Sequence, residues 1–309
     1  MKLSIVVPCY NESECIELFY EEILKVMHQI PEYELELLFV NDGSKDNTFL
    51  ELKKLCENKN SNIKAINFSR NFGKEAAMYA GLCEASGEYV SIVDADLQQR
   101  PEVLLEMYNT LIKDDSYDCV AAYQEVRSEG FVLKFFKDTF YKLINKISDV
   151  EFVRGASDFR VFKRSVRDSI VSMGEVNRFT KGIFSFVGFK TYYMPYKACE
   201  RANGVSTWNF FGLFKYAISG IVAFSTLPLK ISTFLGGLTL MGSFIYLIIA
   251  LILGVNTSLM MLFFIITFFS GVQLLTIGVF SHYMSVMYSE IKKRPIYIAK
   301  EIISASKKK

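Results

Sequence analysis

No Asp, Glu, Lys or Arg occurs between Lys230 and Glu290. An uncharged run of that length suffices for two bilayer crossings at ~20 residues each. It predicts a first crossing over 231–253, a tight external turn at 254–258 and a second crossing over 259–284. Gly236, Gly237, Gly242, Gly271 and Gly278 would let the two helices approach closely. Lys230 flanks one end, and Lys292, Lys293 and Arg294 with Lys307 to Lys309 flank the other. By the positive-inside rule both ends then face the cytoplasm. The opening segment, Met1 to Pro8, is too short for the apolar core of a signal peptide and lacks its cleavage site. The expected location is therefore the cell inner (plasma) membrane, multi-pass, with the N-terminal part and both termini cytoplasmic. The hydrophobic share of 51% is concentrated in this region and not spread along the chain.

The first half has a different rhythm. Leu3–Val7, Glu36–Val40, Ile63–Phe68 and Tyr89–Val93 are short apolar runs of the kind found in buried parallel strands. An amphipathic pattern with Ile16, Phe19, Ile23 and Leu24 follows the first, and helices over 49–58 and 75–85 follow the next two. Strand and helix alternate, which predicts an α/β fold with a mostly parallel, doubly wound sheet and right-handed crossovers. Asn11-Glu12, Asp42, Lys74 and Asp94-Asp96 each follow a strand's C-terminal end. In a parallel sheet those ends share one edge, where open α/β sheets bind ligands. No GxGxxG follows the first strand and no GxxxxGK[ST] occurs, which argues against a dinucleotide oxidoreductase and a P-loop ATPase. A net charge of +2 offers no bulk electrostatic case for nucleic acid. The six cysteines show no metal-ligand or CxxC spacing and read as reduced structural thiols.

The fourth strand ends in Asp94-Ala95-Asp96-Leu97-Gln98. If this segment stays extended, Asp94, Asp96 and Gln98 point to one side. Oxygen ligands of that kind suit a hard cation, Mg²⁺ or Mn²⁺, that keeps open positions for phosphate oxygens.

The runs Val7-Pro-Cys-Tyr-Asn-Glu12, Asn41-Asp-Gly-Ser-Lys-Asp-Asn-Thr48, Ser69-Arg-Asn-Phe-Gly-Lys-Glu-Ala-Ala77 and Asp94-Ala-Asp-Leu-Gln98 together resemble the family 2 glycosyltransferases with a GT-A fold. Ser157-Asp-Phe-Arg160, Asn177-Arg-Phe-Thr-Lys-Gly182 and Arg201-Ala-Asn-Gly-Val-Ser-Thr-Trp208 extend the likeness to the polyprenyl-phosphate glycosyltransferases. The resemblance implies a UDP-sugar donor, glucose favoured, and a polyprenyl (undecaprenyl) phosphate acceptor. It implies that Pro8, Tyr10, Asn11, Glu12, Asp42, Lys74, Asp94 and Ala95 bind the nucleotide sugar and that Asp96 and Gln98 hold the metal. Asp158 would be the catalytic base or acceptor-orienting group, with Asp96 and Arg201 also catalytic. Arg127, Arg178, Lys181 and Arg201 would grip the lipid phosphate. Two departures stand out: Asn41 replaces the first Asp of the family's DDGS, and Arg127 alone remains of an arginine-rich loop.

The expected organisation is a glycosyltransferase domain over 1–207, interfacial amphipathic helices over 208–230, two transmembrane helices over 231–288 and a basic cytoplasmic tail over 289–309. A further amphipathic helix over 131–147 would lie at the membrane surface. The expected activity is inverting, metal-dependent transfer that supplies a lipid-linked sugar for cell-envelope glycosylation. The partners are the nucleotide sugar, the lipid and the membrane, with homo-oligomerisation left open. Two other readings remain at this level: a processive polysaccharide synthase, for which no QxxRW is present, and a non-catalytic membrane protein with a degenerate pocket.

Overall fold

A computed structural model of the chain describes residues 2–29, 34–58, 62–124, 145, 156–196, 227–253 and 259–304. The expected amphipathic helix over 131–147, apart from residue 145, the interfacial stretch 208–226 and the turn at 254–258 lie outside these residues, as do Arg127 and Arg201.

The strands are β1 (Lys2–Cys9), β2 (Glu34–Asn41), β3 (Asn62–Phe68), β4 (Tyr89–Ile92), β5 (Cys119–Gln124), β6 (Ala156–Lys163), β7 (Thr191–Tyr196) and β8 (Ala299–Ser304). The helices are α1 (Ile16–Met27), α2 (Thr48–Asn58), α3 (Lys74–Glu84), α4 (Pro101–Lys113), α5 (Arg164–Ser172), α6 (Thr180–Phe186), α7 (Leu227–Leu253) and α8 (Leu259–Ile291). One sheet of eight strands runs β7-β5-β6-β4-β1-β2-β3-β8. β1 pairs in parallel with β2 and β4, β2 with β3, and β5 with β7. β6 lies antiparallel between β4 and β5, and β8 lies antiparallel on β3. This is the mostly parallel α/β sheet that the alternating pattern predicts.

The strand period of two explains the layers. Leu3, Ile5, Val7 and Cys9 face one side, where they join Leu37, Phe39, Phe19, Leu52 and Tyr108 of β2, α1, α2 and α4. Val6 and Leu38 face the other side with Met78, Leu82, Val166 and Ile183 of α3, α5 and α6. Helices therefore cover both faces. α3 lies against β1 closely enough that a Cβ at Gly81 would sit 2.2 Å from Val6 Cγ1.

Two expectations are corrected here. β4 ends at Ile92, and Asp94 to Gln98 form a turn in which Leu97 takes φ 59°. The extended geometry that would align Asp94, Asp96 and Gln98 is absent, because residues 95–96 turn and Leu97 takes a left-handed conformation between Asp96 and Gln98. Residues 299–304, read as part of a basic tail, instead form β8. The strand is held by its ladder to β3, by Ser69 N–H donating to the Ile298 carbonyl at 2.9 Å, and by Tyr297 stacked on Phe68 at 5.0 Å. The sheet is thus completed by chain that follows the two long helices.

α7 spans 27 residues and α8 spans 33, and the two pack together. They bracket both expected crossings, and α8 continues beyond residue 284 to Ile291. Among the described residues no helix is long and apolar enough to cross a membrane. Some side chains of α7 and α8 fall outside that set.

The N-terminal ends of the strands are closed by a buried carboxylate. Glu36 accepts hydrogen bonds from Ser4 Oγ, from Ser86 N–H at 2.9 Å and from Ser86 Oγ at 2.7 Å, and pairs with Lys2 at 3.1 Å. Burial pushes the Glu36 carboxyl up, but these donors outweigh it and hold the group below its usual range. Its contribution is therefore present above the unfolded carboxylate range and lost as pH falls through the lower folded value. Glu36→Ala should destabilise the domain by about 3 kcal/mol near neutral pH, since it orphans several buried donors. The difference from wild type should shrink in acid, and thermal melts across pH would show both effects.

Candidate active site

The loops after β1 and β2 are stitched together by the polar run that opens α2. Asn11 N–H donates to Ser44 Oγ at 2.9 Å, Glu12 N–H to Thr48 Oγ1 at 2.9 Å and Ser13 N–H to Asp46 Oδ2 at 3.2 Å. Asn11 Oδ1 in turn accepts Lys45 N–H at 2.9 Å, and Asn11 itself takes φ 56°. Three consecutive amides of the first loop are thus satisfied by side chains of the second. Tyr10 stays exposed beside them, and Pro8 is half-buried at the end of β1.

Asp42, for which a nucleotide contact is expected, anchors the loop that leads into α3. It is buried, and its carboxylate accepts Phe72 N–H at 2.6 Å and Gly73 N–H at 2.9 Å. Burial raises its carboxyl, partly offset by those two amides. Gly73, at φ 99°, precedes α3, so Asp42 fixes the backbone from which Lys74 projects. Gly43 is required for the same approach: a Cβ there would lie 2.3 Å from the Arg70 carbonyl carbon, at a φ of 62°. Asn41 donates from Nδ2 to Asn67 Oδ1 at 2.8 Å and accepts from Ser44 Oγ, an internal tie between β2, β3 and the loop. A second carboxylate at 41 could not make that donation.

Lys74 Nζ lies 2.5 Å from Asp94 Oδ1 and 3.6 Å from Asp158 Oδ2. It therefore joins the end of β4 to β6, with Asp158 paired to this lysine and not to Arg160. Burial alone would lower the Lys74 ammonium; Asp94 and Asp158 more than reverse this and raise it above its ordinary value. Burial likewise pushes Asp158 up, but Lys74, Lys181 and Arg160 outweigh it and hold the carboxyl below the usual range. Asp158 Oδ1 is buried and has no hydrogen-bond partner among the described residues. Gln99, a residue the sequence reading passed over, clamps Asp94 from both sides. It accepts Asp94 N–H at 2.9 Å and donates Nε2 to Asp94 Oδ2 at 3.0 Å.

These groups line one cavity of about 350 Å³, formed by Asp94, Gln98, Gln99, Ser157, Asp158, Lys181 and Tyr196. Asp94 and Gln98, Asp158, and Lys181 are thereby brought together from three separate segments, with Lys74 tied to Asp94 and Asp158. Asp96 lies buried in the adjoining turn, accepting Gln98 N–H at 3.1 Å, and the Ala95 methyl packs into the core. Arg178 is not among the groups lining the cavity. It is buried, donates to the Met173 carbonyl at 2.5 Å and the Ile170 carbonyl at 3.2 Å, and covers the Tyr79 ring at 4.2 Å. It caps the end of α5, where carbonyls lack helical partners. Glu75, also missed, accepts from Thr180 N–H at 2.9 Å and from Thr180 Oγ1, which ties the start of α3 to the start of α6 beside Lys181.

No group of three or more His, Cys, Asp or Glu suited to a metal occurs among the described residues. Asp96 with the amide oxygen of Gln98 is still compatible with Mg²⁺ or Mn²⁺, because such ions commonly take one or two protein oxygens and complete their shell with substrate phosphates and water.

A polar cavity beside the C-terminal ends of parallel strands is where an open α/β sheet binds its ligand. The model of glycosyl transferase family 2 matches residues 4–171, and the chain belongs to that family. It is a glycosyltransferase. It is similar to a putative glycosyltransferase, CsbB, of Bacillus subtilis, with 38% identity over 97% of this chain and 91% of that one. It is equally similar to a prophage-derived bactoprenol glucosyl transferase of Shigella flexneri, with 38% identity over 97% of this chain and 98% of that one. Among solved structures, a mannosyltransferase of Pyrobaculum calidifontis in complex with GDP-Man and Mn²⁺ aligns over 94% of this chain and 75% of that one, at 16% identity and a TM-score of 0.46.

Proposed function

We propose that the protein transfers a hexose, glucose favoured, from a UDP-sugar to a polyprenyl (undecaprenyl) phosphate at the cytoplasmic face of the membrane. The observation that carries this reading is Lys74 held between Asp94 and Asp158, with Asp158 Oδ1 buried and unpartnered among the described residues. A lipid phosphate is already ionised near neutral pH, so its oxygen attacks the anomeric carbon without first losing a proton to a strong base. The bond from that carbon to the diphosphate breaks, UDP leaves, and the sugar inverts. Asp158 and Lys181 orient the acceptor phosphate, and Asp94 with Lys74 holds the sugar and diphosphate side. Arg127 and Arg201, outside the described residues, are proposed further grips on phosphate. Asp96 and Gln98 would hold a divalent cation, which supplies charge neutralisation for the departing diphosphate. Pro8 at the end of β1, Tyr10, Asn11 and Glu12 on the stitched first loop, and Asp42 after β2 would receive the base and ribose.

The acceptor is supported by the relatives named bactoprenol glucosyl transferase, which this chain matches along nearly its whole length. It is also supported by α7 and α8. At 1.5 Å per residue they measure about 40 and about 50 Å. They carry no charge between Lys230 and Glu290. Phe234, Ile252, Leu274 and Ile291 are each more than 60% exposed, an apolar surface that water would not leave uncovered. We therefore retain the two crossings, with both ends at the cytoplasmic face; β8 returning to the sheet supports that topology.

Asp96→Ala should reduce transfer by at least about 100-fold, with the fold retained, if it holds the cation. The measurement is radiolabelled transfer from a panel of UDP-sugars to undecaprenyl phosphate, with Mn²⁺ or Mg²⁺ titrated. Wild-type-like turnover of this variant would remove Asp96 from the metal role, and label entering a growing polymer would favour a synthase.

A further inference from the structure

Glu290 is the first ionisable residue after the uncharged run and the penultimate residue of α8. Its carboxylate accepts Val176 N–H at 2.9 and 3.1 Å and Asn177 N–H at 3.0 Å. Those amides belong to the segment between α5 and α6. The same segment is braced from within by Arg178, which binds the carbonyls of Ile170 and Met173 and stacks on Tyr79 of α3. Tyr79 in turn meets Tyr297 edge-on at 6.4 Å, just before β8. Beyond Arg178 the chain enters α6 through Thr180, which is bound to Glu75, and Lys181, which lines the cavity. Glu75 is the neighbour of Lys74. A continuous line of hydrogen bonds and short chain segments therefore runs from the end of the long helix to Lys181 and towards Lys74.

We propose that Glu290 is a positioning residue for transfer: it docks the end of α8 onto residues 176–177 and so fixes Lys181 for the acceptor phosphate. A carboxylate bound to two consecutive amides makes strong, directional, charge-assisted bonds, suited to setting a loop's orientation. Docking at this point fixes the height of the cavity above the place where α8 leaves its apolar stretch. The inference rests on the proposed lipid-phosphate acceptor.

The full-length protein in undecaprenyl-phosphate vesicles provides the test, with Glu290→Ala, Glu290→Gln, Lys181→Ala and the Glu290→Ala/Lys181→Ala pair. Glu290→Ala should lower kcat for transfer about tenfold with the Kd for the UDP-sugar unchanged, and Glu290→Gln, which keeps an acceptor oxygen, should recover most of it. In the Lys181→Ala background, Glu290→Ala should cost less than about twofold more, because the effect passes through Lys181. Unchanged kcat, a parallel loss of donor affinity, or losses that multiply in the pair would overturn the proposal. If the wild type transfers to no lipid phosphate, the acceptor reading fails. The positioning claim is then decided by amide exchange over 176–182, which must quicken in Glu290→Ala and which overturns the claim if it does not.

Discussion

Replacing Asp158 with asparagine should reduce transfer by at least about 100-fold while donor affinity changes less than about twofold. The substitution keeps the shape of the side chain on β6 and removes only its charge. That charge is a defined feature of the site: Lys74, Lys181 and Arg160 overcome the effect of burial and keep the carboxyl below its usual range. Asp158 is therefore ionised throughout the neutral range, and its buried Oδ1 is available to whatever enters the cavity. Asparagine keeps the outline of the side chain but removes the negative charge that pairs with Lys74 and faces Lys181. Steady-state kinetics with the lipid acceptor, together with calorimetry of donor binding, separates the two effects. Wild-type kcat in Asp158→Asn would exclude the residue from the transfer step.

Lys74→Met should be as damaging for the opposite reason. The methionine fills a similar volume but leaves Asp94 and Asp158 facing one another without the cation that joins them. Transfer should fall by at least about 100-fold, because a preorganised charge beside the developing diphosphate is lost. The pH profile should move as well. Lys74 is the largest influence lowering the Asp158 carboxyl, and burial acts against it. With Lys74 gone, burial gains and the carboxyl protonates at a higher pH than before. The acid limb of kcat/KM should therefore shift to higher pH in Lys74→Met. An unmoved limb would show that Asp158 does not govern it.

Much of the sheet was legible because parallel strands buried on both faces appear as short apolar runs. β1 to β4 match the expected runs within a few residues, and the positions of Lys74 and Asp94 beyond strand ends follow. β8 escaped notice because its sequence, Ala299-Lys-Glu-Ile-Ile-Ser304, carries two charges on an exposed edge and follows a basic stretch. Only the open side of β3 makes it a strand. The turn after β4 escaped for a different reason: alternating polar residues fit an extended chain equally well, and the left-handed Leu97 has no signature in a leucine. Arg178 and Asp42 look like ligand-binding residues by type and neighbourhood. In the structure Asp42 also accepts from the amides of Phe72 and Gly73 in a distant loop, and Arg178 binds carbonyls at the end of the preceding helix, contacts that no local pattern displays.

The sequence by itself determined the alternation of strands and helices, the long uncharged run between Lys230 and Glu290 and the chemistry of the residues available at the sheet's edge. Periodicity and charge are local properties, and local properties survive in a linear string. Tertiary structure alone decided which charges meet: Lys74 between Asp94 and Asp158, Glu290 on residues 176–177, Asp42 beneath α3. Those pairings depend on distances between segments far apart in the chain, which are set only once the two apolar faces of the sheet have been covered.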